Sequence, residues 1–204
     1  MKKFFKLTIL MLILLITQTL AQANFNDILV VDIQYDWINK SEVEKEAIIE
    51  EVYDIIFENG VLTKKEDFKS QFKDKLKDKN HREHYLAASA GYKEYKDNNI
   101  SAFYYKKQKH IYMYALQDKK DLSKSFYYDA LGKLRYVDFN YGEYPEYPYY
   151  TIQYDISGKP ISAIYNVSKD NQYLYDPDGA FKGVWYKHNL YDEHSKIILK
   201  RTTY

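Results

Sequence analysis

A short phrase, Tyr-Asp-x-x-Gly followed by a strand-like run, recurs through the C-terminal third of the chain and limits what the chain can fold into. It stands at Tyr128-Asp129-Ala130-Leu131-Gly132, at Tyr154-Asp155-Ile156-Ser157-Gly158 and at Tyr175-Asp176-Pro177-Asp178-Gly179. A degraded fourth copy is Tyr191-Asp192-Glu193-His194-Ser195, and Lys133, Lys159 and Lys196 directly follow three of the copies. A type I turn favours Asp at its first position, Pro at its second and Gly at its fourth. The Asp carboxylate accepts hydrogen bonds from the backbone just ahead of it and closes the turn. Gly supplies the left-handed residue that lets such a turn rejoin a twisted hairpin through a bulge. Each full copy therefore predicts a hairpin, with Asp129, Asp155 and Asp176 closing the turns and Gly132, Gly158 and Gly179 at positive φ. Ser195 stands where Gly is wanted, which predicts a looser or different turn in the fourth copy. The copies lie 26, 21 and 16 residues apart. A solenoid keeps its period, so the spacing predicts a meander of hairpins with variable returns.

These residues resemble the YD repeats of the Rhs and teneurin shells, whose units also read Tyr-Asp-x-x-Gly followed by Arg or Lys and an apolar residue. They are also similar to the MORN-like repeats of bacterial YwqK-like proteins, with Gly183-Val184-Trp185-Tyr186 echoing a Gly-x-Trp strand. The resemblance covers about residues 124–204. It implies a β-sheet scaffold with no catalytic residues to carry over. Rhs proteins stack many such units into a closed shell, whereas the four here are too few to enclose a space.

Residues 1–23 read as a secretory signal peptide. Lys2, Lys3 and Lys6 form its basic start, Leu7 to Ile16 its apolar core, and Ala21-Gln22-Ala23 a small-x-small cleavage site, so the mature chain is expected to begin at Asn24. The apolar run is about ten residues, against the ~20 that a membrane span needs. The chain has no Cys, which excludes disulfides, thiol chemistry and lipidation at the cleavage site. The expected location is periplasmic or secreted, with no membrane span after cleavage.

Of the 30 basic residues the signal holds three and no acid, which leaves 27 against 29 acidic residues in the mature chain. A nearly neutral total gives no reason to expect nucleic acid or an anionic membrane as partner. The charges are nonetheless segregated: residues 24–58 are acidic and residues 64–84 basic. Both stretches predict helices. Ser41-x-x-Glu44 is a capping box for the first, in which Val43, Ala47, Ile48, Val52, Ile55 and Ile56 recur at helical spacing and Asn59-Gly60 supplies the stop. Thr63-x-x-Glu66 opens the second, with Phe68, Phe72 and Leu76 as an apolar stripe. A third helix is predicted from His81 to Lys96, through Tyr85, Leu86, Ala88 and Tyr92. The first two are expected to pair as an acidic and a basic member. Ile28-Leu29-Val30-Val31 suits either a strand or a lead-in turn.

From about Ile100 the pattern changes to strands: Ile100–Lys106, His110–Leu116, Ser125–Asp129, Lys133–Tyr141, Tyr149–Tyr154, Ile161–Val167, Gln172–Tyr175, Phe181–Lys187 and Lys196–Thr202. Pro145 and Pro148 break the chain between the first two repeats. Nothing like a linker separates helices from strands, so they are expected to pack together. The predicted fold is α+β, with a helical hairpin or three helices (24–99) on one face of an antiparallel β-meander (100–204). Of 24 Tyr, 22 lie at or after Tyr85. Tyr rings pack across strands while their hydroxyls reach water. The helices can cover one face only, so the other is expected to carry a partly open Tyr ladder, with Tyr147, Tyr149, Tyr173 and Tyr186 as candidate binding residues.

Signatures of nucleophilic catalysis and of a phosphate loop are missing. His81-Arg82-Glu83-His84 is one residue short of a zinc-peptidase helix, and its histidines are expected to be solvated. Asp176-x-Asp178-Gly179, with Asp170 and Asn171 nearby, lacks the late Glu of a calcium loop. No cofactor and no metal is expected. Asp138, Glu143 and Glu146 stand near aromatics, the pattern a sugar hydrolase would need. Two functions follow: an exported, non-enzymatic binding module acting through its Tyr face on an envelope or extracellular protein or a glycan, or a small envelope hydrolase or sugar-binding enzyme with acids among the tyrosines.

Overall fold

The recurring phrase builds one turn four times. The computed structural model describes residues 37–58, 72–76, 81–105 and 110–201. In each copy the Asp N–H donates to the carbonyl four residues on: Asp129 to Lys133, Asp155 to Lys159, Asp176 to Ala180 and Asp192 to Lys196. Gly132, Gly158, Gly179 and Ser195 each donate back to the carbonyl of their Asp at 2.9–3.0 Å. Every Asp Oδ1 accepts from the N–H groups two and four residues ahead. The three glycines have φ of 76°, 82° and 88°. Ser195 has φ 64° and makes the same turn, which corrects the expectation of a different one. A left-handed L-residue costs about 1–2 kcal/mol, and the four hydrogen bonds that close the turn offset that cost. One pair beyond each turn the register shifts again, at Tyr127/Tyr128, Gln153/Tyr154, Leu174/Tyr175 and Leu190/Tyr191, a further bulge in each hairpin.

The hairpins belong to an antiparallel sheet whose spatial order is its sequence order. Its strands are β1 (Glu94–Tyr95), β2 (Asn98–Tyr104), β3 (Ile111–Asp118), β4 (Asp121–Asp129), β5 (Leu134–Gly142), β6 (Tyr149–Asp155), β7 (Pro160–Asn166), β8 (Asn171–Tyr175), β9 (Phe181–Tyr186), β10 (Asn189–Tyr191) and β11 (Ile197–Lys200). The predicted strands recur within a few residues, while β1 and β10 are additions. Both are too short to show an alternation, and β10 exists because Lys187, at φ 55°, turns the chain straight back from β9. The four Tyr-Asp turns lie at one end of the strands, and the connections 119–120, 143–148, 167–170 and 187–188 at the other.

Among the described residues three helices precede the sheet: α1 (Glu42–Glu58), α2 (Lys73–Leu76) and α3 (His81–Ser89), with a 3₁₀ turn at Trp37–Asn39 before α1. The fold is α+β, as the pattern of the sequence predicts, and Trp37–Tyr204 forms one unit. The Ser41–Glu44 capping box is reciprocal: Ser41 N–H donates to the Glu44 carboxylate at 2.8 Å and Glu44 N–H to Ser41 Oγ at 3.4 Å. The buried stripe of α1 is Lys45, Ile48, Val52 and Ile56, while Val43 and Ala47 face water. Lys45 can join it because its ammonium sits 5.9 Å over the Trp37 ring and pairs with Glu42 at 2.8 Å. Helix α3 stops short of the predicted Lys96. Gly91, at φ 77°, ends it: Tyr92 N–H donates to Ala87 O and Gly91 N–H to Ala88 O, the paired bonds of a Schellman stop. The signal peptide, Ile28–Val31, Asn59-Gly60, Thr63, Glu66 and Phe68 lie outside the described residues. The pairing of an acidic with a basic helix also falls largely on that part of the chain. No described helix is long and apolar enough to cross a membrane.

Candidate functional site

Strand register sorts the sheet into two faces, and the helices select one. On that face lie Tyr114, Phe126, Tyr128, Val137, Phe139, Ile152, Tyr154, Ala163, Tyr165, Tyr173, Tyr175 and Val184, all buried. Trp37 meets Tyr173 edge-on at 5.8 Å, Phe57 meets Tyr175 at 6.2 Å, Phe72 meets Phe126 at 5.2 Å and Tyr85 meets Tyr114 at 6.3 Å. Tyrosine hydroxyls tie the layers together. Tyr175 donates to Ile49 O in mid-α1 at 2.6 Å, and Tyr104 to Ala88 O in α3 at 3.0 Å.

This overturns the expected Tyr ladder on the open face. The Tyr of each phrase precedes a turn Asp by one residue, so all four (Tyr128, Tyr154, Tyr175, Tyr191) land on the helix side, where each is buried. Tyr173, fully buried beneath Trp37, is core and not a binding residue. Tyr186 also shares this face through its pairs Asn171 and Asn189, so it stands apart from Tyr147 and Tyr149. His84 is buried edge-on against Tyr95, so it is not the solvated residue expected. Ala87 and Ala88 beside it are small enough to bring that turn of α3 down onto the sheet.

No described helix packs on the opposite face. Its registered residues from β4 to β9 are Ser125, Tyr127, Tyr136, Asp138, Asn140, Tyr149, Thr151, Gln153, Ser162, Ile164, Asn166, Gln172, Leu174, Gly183 and Trp185. Apart from the turn aspartates, Asp138 is the one charge among them. Adjacent amides and hydroxyls satisfy one another. Asn166 donates to Thr151 Oγ1 at 3.1 Å, Thr151 to Asn140 Oδ1 at 2.8 Å, and Asn140 to Leu122 O at 3.2 Å.

Asp138 lies in the middle of β5. Its carboxylate accepts from Gln153 Nε2 at 2.8 Å and from the Tyr127 hydroxyl. Burial pushes its pKa up to about 6 against these two bonds, which favour the ionised form. The Tyr127 hydroxyl is pushed well up by its own burial and by the Asp138 charge. The 143–148 loop folds back over this region, and the Tyr144 hydroxyl accepts from Gln117 Nε2 on β3 at 3.0 Å. Tyr149 meets Tyr144 edge-on at 4.7 Å and Tyr147 tilted at 5.3 Å. Burial and the neighbouring Tyr147 and Tyr144 raise the Tyr149 pKa. Tyr147 is 41% exposed at the rim. Two of the four candidate residues, Tyr147 and Tyr149, therefore belong to one cluster, joined by Tyr127, Tyr144, Asp138 and Gln153. In the sequence Asp138 is one of three acids near aromatics, with Glu143 and Glu146. Its signal was alternation: it occupies the helix-opposed register of a mostly apolar and aromatic strand, between Val137 and Phe139.

The turn residues do other work. Asp129 pairs with Arg135 at 2.7 Å and Asp176 with Lys182 at 2.8 Å. Lys182 and the Ala180 N–H hold the Asp176 carboxyl below its usual range. Among the described residues no group of three His, Cys, Asp or Glu could hold a metal ion. Glu143 and Glu146 are exposed on the loop.

Comparison of the chain with protein-family models, curated proteins and solved structures found no match.

Proposed function

We propose that the chain is an exported, non-enzymatic binding module acting through the helix-free face of its sheet, with an envelope or extracellular protein or a glycan as ligand. The observation that carries this reading is the make-up of that face: tyrosines, amides and hydroxyls around a single buried charge. A sheet face turned to water ordinarily carries Lys, Glu and Thr, whereas Tyr is enriched where surfaces bind. The resemblance to YD or MORN-like repeats supports the same role, with the hairpins as scaffold. Export rests on the signal pattern of residues 1–23, which puts the mature N-terminus at Asn24 and the product in the periplasm or outside the cell. N-terminal sequencing of the exported protein checks it, and retained Met1 removes it.

The test of binding uses Tyr147→Ser and Tyr149→Ser. Capture of a ligand from an envelope extract falls while the melting temperature changes little. Lost stability with unchanged capture would make these rings scaffold.

One observation favours the enzyme reading. A carboxyl with a pKa of about 6 can carry a proton near neutral pH, as a general acid must. Sugar hydrolysis needs a second carboxyl roughly 5–10 Å away, and the bonds of Asp138 go to a phenol and an amide. Hydrolysis of a glycan by the native chain that Asp138→Asn abolishes would replace the binding reading.

A further inference from the structure

We infer that the helix-free face takes a short, neutral oligosaccharide at its rim, lying across the strands between Tyr149 and Trp185. This rests on the binding role proposed above and names its ligand. Tyr149 pairs with Asn166, Asn166 with Gln172, and Gln172 with Trp185. The four residues make one row over β6–β9, with an aromatic ring at each end and two amides between. Three strand spacings separate the rings, about 14 Å.

Each end is built up by a second side chain. Tyr147 tilts on Tyr149 at 5.3 Å. The Arg201 guanidinium sits 4.5 Å over the Trp185 ring, donates from Nη1 to Gln172 Oε1 at 3.1 Å, and uses Nε and Nη2 on Lys187 O. Tyr147 is near enough to Arg201 for its phenol to act on the guanidinium charge. Asn166, in the row, is 4% exposed. Its amide donates to Thr151 Oγ1 at 3.1 Å, which leaves Gln172 as the amide of the row that a ligand can reach.

This chemistry suits a pyranose. Its C–H face stacks on aromatic rings, and its hydroxyls need donors and acceptors together, which a carboxamide supplies. The amide nitrogen of Gln172 has no protein acceptor among the described residues. Among the described residues the charge in contact with the row is Arg201, already committed to Lys187 O and Gln172 and opposed by nearby Asp170, so an anionic ligand is not called for. A protein partner would need roughly 800 Å² on each side, far more than a single row of four side chains.

Isothermal titration of the mature chain with maltohexaose, cellohexaose and chitohexaose, and with a galacturonate oligomer, tests this. At least one neutral oligosaccharide binds. Tyr147→Ala and Gln172→Ala each weaken it about tenfold, ~1.4 kcal/mol, and Tyr112→Ala on β3 leaves it unchanged. Trp185→Phe, which keeps a ring under Arg201, retains part of the affinity and guards against a misfolded alanine variant. Binding of the galacturonate alone, or neutral binding indifferent to Tyr147 and Gln172, overturns the inference. If no oligosaccharide binds while Tyr147→Ser and Tyr149→Ser still abolish capture of a protein, the oligosaccharide inference fails and the binding role stands. If neither effect is found, both fail.

Discussion

Tyr53 of α1 lies across the β8–β9 turn, so that a Cβ built on Gly179 would overlap its ring. Gly132 stands in the same relation to His81 of α3. Ser195 shows that the left-handed φ of this turn tolerates an L-side chain. At Gly132 and Gly179 the helices add a second requirement, space: the neighbouring ring must move to admit a side chain. Gly179→Ala is expected to cost about 2 kcal/mol or more, from the positive φ together with the overlap. In a Tyr53→Ala background the cost should fall to about 1 kcal/mol, since only the φ term remains. A double-mutant cycle by urea denaturation measures this, and equal costs in both backgrounds would show that the helix contact is immaterial.

Ser195→Gly should stabilise the chain by roughly 0.5–1 kcal/mol. It relieves a left-handed L-residue, partly offset by the greater freedom of Gly in the unfolded chain. The melting temperature reads this directly, and a fall would mean that the Ser side chain contributes more than its backbone strain.

Asp138 sets a pH window. Its folded pKa of about 6 lies above its ordinary 3.8, so the folded state binds the proton more tightly than the unfolded one. Below pH 4 both states are protonated and the group is neutral for stability. Between about pH 4 and 6 the unfolded chain ionises first, and stability declines as pH rises. Above pH 6 the penalty is constant, on the order of 3 kcal/mol. The turn carboxyls Asp129, Asp155 and Asp176 are held below their usual range. Their contribution is present above about pH 4 and is lost only in stronger acid. Asp138→Asn should therefore flatten the pH 4–6 slope while leaving acid unfolding in place. An unchanged slope in denaturation curves across that window would remove Asp138 as its source.

The Tyr175 hydroxyl reaches a mid-helix carbonyl, Ile49 O. Tyr175→Phe should cost about 1 kcal/mol, the net worth of one buried hydrogen bond. Because the bond joins helix to sheet, amide exchange within α1 should quicken more than exchange in β8. Uniform acceleration would place the loss in the sheet instead.

The local elements were legible because their causes are local. The Ser41–Glu44 capping box and the four turns each lie within five consecutive residues, and alternation placed most strands. Helix α3 was overextended because the periodicity of Tyr85, Leu86, Ala88 and Tyr92 outran Gly91, whose Schellman bonds involve only its neighbours and were open to reading. Leu86 and Tyr92 are 54% and 61% exposed, so two of the four residues behind that pattern never packed.

What the sequence by itself determined is the meander: an Asp that closes its own turn and a Gly or Ser that rejoins the strand need nothing from elsewhere in the chain. Which face of the meander would be covered was decided only by tertiary packing. Alternation gives two faces but attaches no helix to either, and tyrosine is at home both in a core and on a surface. The apolar stripe of α1 and the rings of Trp37, Phe72 and Tyr85 chose the face bearing the Tyr of each phrase. That burial turned the ladder into core and left the amides, Asp138, Tyr147 and Tyr149 on the other side. The cluster around Asp138 joins residues from β3, β4, β5, β6 and a returning loop, and that convergence depends on pairings between distant segments that no single stretch of the chain contains.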